Sequence, residues 1–520
     1  MAKRVHLNLV PEEAADERTV RKLACKAAGL DPPGDIAVRI IKKSVDARKP
    51  KIMINLDVEI YQPDEPSPSV ISPFKPQNVT NSREVIIVGA GPAGLFAALK
   101  LIEAGLRPVI LERGRDVALR KRDIARISRE QKVNPDSNYC FGEGGAGTFS
   151  DGKLYTRSKK RGDNYRVLEL FCHHGADPGI MYESHPHLGT DRLPGIITGI
   201  RHSVLDAGGI IMFEKKVTDF IVNGSSIAGV VVSEGERYSS GDVILATGHS
   251  ARDIYEICSR RNISLEMKMF AMGVRVEHPQ ELIDHIQYHG RPRGEFLPPA
   301  AYSLARQVDG RGVYSFCMCP GGFIVPSATS QEEIVVNGMS PSRRNSPYAN
   351  SGIVVEIKPE DLLKYANCGP LAGLRFQQDL EKEAWLNGDM TQRAPAQRVT
   401  DFIDGLQSCS LPKVSYFPGV VSSSLHRWLP GSLADRLRKG LQAFGKSMKG
   451  YITSEAVILG VESRTSSPVR IPRKPDKYEH ISLSGLYPCG EGSGYSGGIV
   501  SSAVDGIKVA EAIAARYKAC

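Results

Sequence analysis

Two stretches of the sequence satisfy the pattern G-x-G-x-x-G. One is VIIVGAGPAGLFAALKLIEAGL, with Gly89, Gly91 and Gly94; the other is FGEGGAGTFSDGK, with Gly142, Gly144 and Gly147. Glycines so spaced allow a tight turn, let a pyrophosphate approach the backbone and let a helix pack close to a strand. Acids stand where a bound ligand's hydroxyls need acceptors: Glu112 on the far side of the first pattern, and Glu491 in CGEG near the C-terminus. Side chains able to move protons or electrons are fewer. His185, His187 and Asp191 sit together in SHPHLGTDRL, and a histidine with an acid four residues on suits proton transfer near neutral pH. A hydrogen-bonded loop histidine is the plainer reading. Cys317 and Cys319 in VYSFCMCPGG would share one face of a strand, and placed beside a redox group two thiols can exchange electrons. Ordinary buried cysteines are the plainer alternative.

The surrounding elements decide which glycine pattern is a nucleotide turn. Residues 84–88 (EVIIV) form a β-branched run suited to a buried parallel strand. Residues 92–106 place Leu95, Ala98, Leu99 and Ile102 at helical spacing. Gly89, Gly91, Pro92, Ala93 and Gly94 therefore fall at a strand-to-helix turn. The helix N-terminus there offers free N–H groups and a positive dipole end to a phosphate. RPVILE returns as a second strand ending in Glu112, the position of a ribose acceptor. An acid there favours FAD or NAD over NADP.

The second pattern lacks this context. Turn residues (PDSNYCF) precede it, and no amphipathic helix follows. Gly144, Gly145, Gly147 and Gly152 read instead as a backbone wall for a planar ring or a polyol, with Ser150 and Asp151 adding side-chain contacts; a flexible loop is the alternative. GDVILATGHSARD is another buried strand running into a turn at Thr247 and Gly248, with His249 beyond it to approach a cofactor or cap a loop. LYPCGEGSGYSGGIVSSAVDG puts a strand before Gly490 and Glu491, then Gly497, Gly498 and Ile499 at the start of a long helix. NAD has no use for so distant a piece. The ribityl chain and ring of FAD do, so FAD is the expected cofactor.

A chain of 520 residues is long for one core. Strand, helix and two strands in the first sixty or so residues suggest a βαββ module, and QPDEPSPSVISPFKPQNVTNS is a linker by composition. The expected class is α/β: a Rossmann-like FAD-binding domain with an inserted α+β substrate domain and a small N-terminal α+β (βαββ-type) module. The expected divisions are residues 1–62 for the module, 63–83 for the linker, 84–270 and 456–520 for the FAD-binding domain, and 271–455 for the insert. The net charge of +9 is modest, and the basic clusters at Arg120–Arg122 and Lys159–Arg161 read as solvated faces rather than a nucleic-acid patch. Ten cysteines without framework or metal spacing, and no secretory segment or membrane span, suit a soluble protein of the cytoplasm or of an organellar stroma or matrix. No metal site is expected.

GAGPAG with Glu112 and Arg113, ATG at residues 246–248 and CGEG at 489–492 resemble the FAD domains of the glutathione-reductase superfamily. FGEGGAGTFSDGKL, HLGTDRL, GHSARD, YSFCMCPGG, NGMS and LYPCGEGSGYSGGIVSSAVDG are similar to FAD-dependent dehydrogenases of bacteria and plastids, from about residue 85 to the end. The resemblance implies a flavoprotein with a discontinuous FAD domain. Glu491 departs from the aspartate usual in the superfamily, which lengthens that contact by one methylene. A second nucleotide fold and a C-x-x-x-x-C redox disulfide are both missing. The expected activity is therefore an FAD-dependent oxidoreductase passing hydride through the flavin to or from a small organic substrate, with NAD(P)H as a transient donor where one is used. An NAD(P)H-dependent flavin monooxygenase is the alternative enzyme, and a flavin-containing RNA-binding or RNA-modifying protein the alternative of another class.

Overall fold

The computed structural model describes residues 2–30, 36–62, 71–155 and 163–518. Part of the expected linker, 63–70, lies outside them, as does the basic cluster at 159–161. The strand Glu84–Val88 is the centre of a five-stranded parallel sheet in the order Leu486–Pro488, Val243–Leu245, Glu84–Val88, Arg107–Leu111, Ile210–Met212. Val85, Ile86, Ile87 and Val88 are all buried, as a parallel strand covered on both faces requires. Each such side chain contributes roughly 1.5–3 kcal/mol by leaving water. From Glu84–Val88 the chain builds outward on one side, then returns to build on the other. That reversal opens a crevice at the carboxyl ends of the strands, where ligands of such sheets bind.

The helix Pro92–Glu103 is buried almost all round because the C-terminal helix Ile499–Lys518 packs along it. The approach is close enough that a Cβ at Gly506 would lie 2.1 Å from the Ala93 carbonyl oxygen. Two segments some four hundred residues apart in sequence thus share one core, and each brings its N-terminus to the same crevice.

A second, seven-stranded sheet has the order Ala305–Val308, Arg311–Cys319, Tyr348–Ile357, Phe270–Pro279, Val457–Glu462, Ala394–Arg398, Val420–Ser422. Its pairs are antiparallel except the last. Here the expected boundary at residue 456 needs correction. Val457–Glu462 pairs with Phe270–Pro279 inside this sheet, and the chain crosses back only afterwards, where Val469–Arg470 pairs with Glu266–Met267. A fully buried apolar strand reads the same in sequence whichever sheet it joins. The N-terminal strands Lys3–Leu9, Ala37–Asp46 and Met53–Tyr61 form a separate antiparallel sheet with Met53–Tyr61 in the middle.

Candidate functional site

One cavity of about 400 Å³ runs from the parallel sheet's carboxyl ends to the edge of the seven-stranded sheet. Gly89, at φ +103°, makes the turn out of Glu84–Val88; a Cβ there would meet the Ala246 carbonyl oxygen at 2.6 Å. A Cβ on Gly94 would sit 2.0 Å from the Gly89 carbonyl oxygen, so only glycine lets the helix start this near the strand. Gly91 is the N-cap residue and brings no side-chain cap. Gly89, Gly91, Pro92 and Ala93 line the cavity, and Gly94 shapes the turn behind them.

Glu112 is buried, and its carboxylate gathers the turns together. Oε2 accepts from the Ala90 N–H at 2.8 Å, and Oε1 from the Gly114 and Gly142 N–H groups at 2.9 Å each. Three of a carboxylate's roughly four lone-pair sites are thereby used, leaving room for one hydroxyl donor from a ligand. Arg113 also lines the cavity, but Asp136 and Asp253 hold its guanidinium, which lies 4.2 Å over the Phe141 ring.

The second glycine stretch docks directly on the first. The Gly144 N–H donates to the Ala90 carbonyl at 2.8 Å, and a Cβ on Gly145 would reach the Gly91 Cα at 3.0 Å. Its positive φ angles at Gly142, Gly144 and Gly145 end in a single 3₁₀ turn, Gly145–Gly147, rather than a helix. Arg120 fixes this loop by donating to the carbonyls of Asn138, Tyr139, Glu143 and Gly145. Arg120 is fully buried, so the reading of residues 120–122 as a solvated basic face is corrected at that position. A guanidinium with five donors can satisfy four turn carbonyls at once, which no sequence window reveals.

Gly145, Gly147, Ser150, Asp151 and Gly152 line the cavity, whereas Gly144 is packed against Thr148 and Ile197. The Ser150 hydroxyl donates to the Gly147 carbonyl and accepts from the Gly152 N–H, so it closes its own loop. Asp151 is buried against Lys153 at 3.4 Å and Arg344 at 3.1 Å. Burial alone would raise its carboxyl; those two cations, with the Ser340 hydroxyl nearby, bring it down to about 2. Its Oδ1 has no hydrogen-bond donor among the described residues. A buried, unpartnered carboxylate oxygen at a cavity wall suits a ligand N–H or O–H.

Thr247, Gly248, Gly490, Glu491, Gly497, Gly498 and Ile499 complete the same wall from the distant segments. The Gly490 N–H donates to Asp505 at 2.8 Å, and Glu491 lies 3.3 Å from Nδ1 of His249. The longer acid thus stands beside the histidine after the Thr247–Gly248 turn.

The cavity's opposite wall comes from the seven-stranded sheet, with Phe316, Cys317 and Glu462, and from Asn337 on the two-stranded sheet of Phe323–Pro326 and Val336–Met339. Arg275, fully buried, donates to Glu462 at 2.7 Å and to Asn350 at 2.7 Å, and reaches Asn337 at 3.3 Å. Cys317 and Cys319 do not lie on a regular strand. Three steps from Phe316 to Cys319 face two from Gly352 to Asn350, so the strand bulges and Cys317 takes φ +46°. Lys153 Nζ stands 3.6 Å from the Cys317 sulfur and 3.3 Å from that of Cys319.

His187 and Asp191 are brought together with the Ser342 segment rather than with the cavity. Nε2 of His187 pairs with the Ser342 carbonyl oxygen at 3.0 Å, and Asp191 accepts from the Ser342 N–H and hydroxyl at 2.6 Å each. Burial and the nearby Arg344 lower the His187 imidazole below its ordinary range. Neither residue lines the cavity wall. Sequence reading missed Lys153, Arg275, Arg344 and Glu462. Lys153 was signalled by its place two residues after Asp151; Arg275 and Glu462 become neighbours only through strand pairing, and Arg344 reaches Asp151 from a distant loop.

The comparisons fit this geometry. Residues 82–123 match the family described as an FAD binding domain, and residues 269–465 match the one described as FAD-dependent protein, C-terminal domain-like, which spans the seven-stranded sheet. Residues 1–61 match a domain of unknown function. The fold and these families define a flavoprotein of the FAD-dependent class, and FAD is its cofactor. An uncharacterised protein of Clostridium beijerinckii is 39% identical over 523 residues, covering 96% of this chain and 97% of that one, and the chain belongs to its family. Among solved structures, the glycine oxidase of Bacillus cereus is similar at 13% identity over 84% of this chain and 96% of that one, with a TM-score of 0.32. The L-proline dehydrogenase from P. horikoshii is similar at 12% identity over 84% and 94%, with a TM-score of 0.33. No helix among the described residues is long and apolar enough to cross a membrane.

Proposed function

We propose that the protein is an FAD-dependent oxidoreductase that passes hydride between a small organic substrate and the flavin. The observation that carries this reading is the single cavity, walled on one side by glycine turns and on the other by Cys317, Asn337 and Glu462. The turn side suits the nucleotide. The N-terminus of Pro92–Glu103 would hold the pyrophosphate with backbone N–H groups, and Glu112 would accept from the ribose with its remaining lone pair. Arg113 would border the adenine half, and Glu491 with the start of Ile499–Lys518 would serve the polyol end.

Bound FAD supplies the hydride chemistry. The chain's own residues orient and exclude. Asp151, held ionised by Lys153 and Arg344, offers its free oxygen to an N–H donor at the cavity wall. The buried Arg275–Glu462 pair keeps the opposite wall in one arrangement.

Anaerobic titration of the yellow protein with NADPH and then NADH tests the reading. Bleaching of the flavin band, followed by reoxidation with an organic acceptor, is the expected result for a reductase using a nicotinamide donor. Bleaching coupled to rapid oxygen uptake would favour the monooxygenase. Holoprotein that is bleached by neither donor would leave substrate as the direct reductant, and protein unable to take up FAD would overturn the assignment.

A further inference from the structure

Cys317 and Cys319 have surroundings that packing alone does not require. Cys317 lines the cavity, half-buried, on a backbone held at φ +46°, in the left-handed region that a non-glycine residue seldom occupies. Cys319, directly behind it, is fully buried, with its sulfur 3.3 Å from the Cys317 carbonyl oxygen. The Lys153 ammonium stands against both sulfurs, itself fixed by Asp151. The bulge lies between Phe316 and Cys319, and Lys153 Nζ stands within 3.6 Å of the Cys317 sulfur and 3.3 Å of the Cys319 sulfur.

The charges facing this pair come from five segments. Lys153 and Asp151 lie on the glycine loop, Arg275 and Glu462 on adjacent strands, and Arg344, with His187 beyond it, on the far side of Asp151. Their effect is opposite on the two sulfurs. The hydrogen bond from Cys319, with Lys153 and Arg275 nearby, holds the Cys317 thiol well below its ordinary range, while Cys319 is pushed well above it by the same hydrogen bond and by burial. One thiolate and one thiol, with a cation between them, is the arrangement of a nucleophile and its resolving partner.

We propose that Cys317 and Cys319 are a redox-active dithiol that reduces small-molecule disulfides at this cavity, with Cys317 as the attacking thiolate, Cys319 as the resolving thiol and Lys153 as the positioning residue. The Cys317 thiolate attacks one sulfur of R–S–S–R; the Cys317–S–S–R bond forms, the substrate's S–S bond breaks and RS⁻ leaves. Cys319 then gives up its proton and attacks the Cys317 sulfur, expelling the second RS⁻, and that proton leaves with one of the two thiolates. The pair loses two electrons and the small disulfide gains them. This chemistry goes beyond the oxidoreductase reading and needs no flavin, so either can fail without the other.

The test uses the full-length holoprotein and 2-hydroxyethyl disulfide, followed by peptide mass mapping. The expected product is a Cys317–Cys319 bridge, with the exposed Cys409 as an internal comparator. Cys319→Ser should trap a mixed disulfide on Cys317, and Cys317→Ser should give neither product. Iodoacetamide alkylation of Cys317 should keep a midpoint at least one unit below the usual thiol value of about 8.5. Lys153→Met should move that midpoint upward and slow alkylation at pH 7 by roughly tenfold. A wild-type midpoint at the ordinary value, or modification confined to Cys409, would overturn the proposal. The wild-type alkylation profile decides even if a cysteine variant does not fold.

Discussion

The two walls of the cavity are built by different means. On the parallel-sheet side the wall is shaped by turns of glycine, alanine and proline that offer backbone N–H groups, with Glu112, Asp151 and Glu491 among the side chains that line it. On the seven-stranded side the wall is made of side chains whose partners come from distant segments: Arg275 with Glu462 and Asn350, and Cys317 and Cys319 with Lys153 of the glycine loop. The first wall depends on the absence of atoms, the second on the pairing of charges. In a wall of the first kind the turns are intolerant of a single methyl. One of the second kind tolerates changes of shape better than the loss of a charge.

The largest expected effect breaks the first wall with the smallest change of composition. In Gly94→Ala the new Cβ would lie 2.0 Å from the Gly89 backbone oxygen, with the Ile87 side chain at 3.1 Å behind it. Neither backbone can withdraw without opening the turn at Glu84–Val88. The expected cost is above about 5 kcal/mol, in the range reserved for severe core disruption. Purified variant should show a flavin-to-protein absorbance ratio at most roughly a tenth of wild type, with a urea midpoint well below it. Normal flavin content in Gly94→Ala would mean that close packing at this turn is not what forms the site.

A smaller effect is expected on the second wall. Arg275→Met preserves much of the side chain's length and apolar stem, but leaves Glu462 buried with its charge unmatched. Breaking a buried pair from one side costs about 3–5 kcal/mol, and replacing both partners with apolar residues recovers much of it. Urea unfolding of Arg275→Met, Glu462→Leu and the double variant gives the coupling directly. If the double variant is no more stable than the worse single one, the pair is not the element that holds this wall.

This contrast also explains what was legible in the sequence. The glycine turn at 89–94, its flanking strands and Glu112 lie within some thirty residues, so strand pattern, helix pattern and acid could be checked against one another locally. The second glycine stretch could be denied a helix for the same reason, yet nothing local told that it would dock on the first through Gly144 and Ala90. The distant C-terminal piece was readable because it repeats the order strand, glycines, helix. Arg275 and Glu462, almost two hundred residues apart, carry no such signal: each is one charge in an apolar strand until the register of Phe270–Pro279 against Val457–Glu462 brings them together. Asp191 misled because four residues of separation from His187 suggests a couple, whereas both are tied to the segment at Ser342. Spacing is informative within an element and says little across a loop.

The smallest effect sharpens the comparison through pH. His278 lies on the same strand as Arg275, fully buried, with Nε2 2.8 Å from the Tyr451 carbonyl oxygen. Burial lowers its imidazole from an ordinary value near 6.5 to about 4, and the hydrogen bond only partly opposes this. The folded protein therefore keeps His278 neutral over a range in which the unfolded chain takes up a proton. Its contribution is fully present above about 6.5, is lost progressively as the pH falls, and levels off below about 4. The loss amounts to about 3 kcal/mol across that window. Urea midpoints between pH 7.5 and 4.5 should fall more steeply for the wild type than for His278→Asn, which has nothing to titrate at that position. Midpoints that run parallel would mean that His278 is protonated in the folded state, and that this strand's interior is more polar than its complete burial implies.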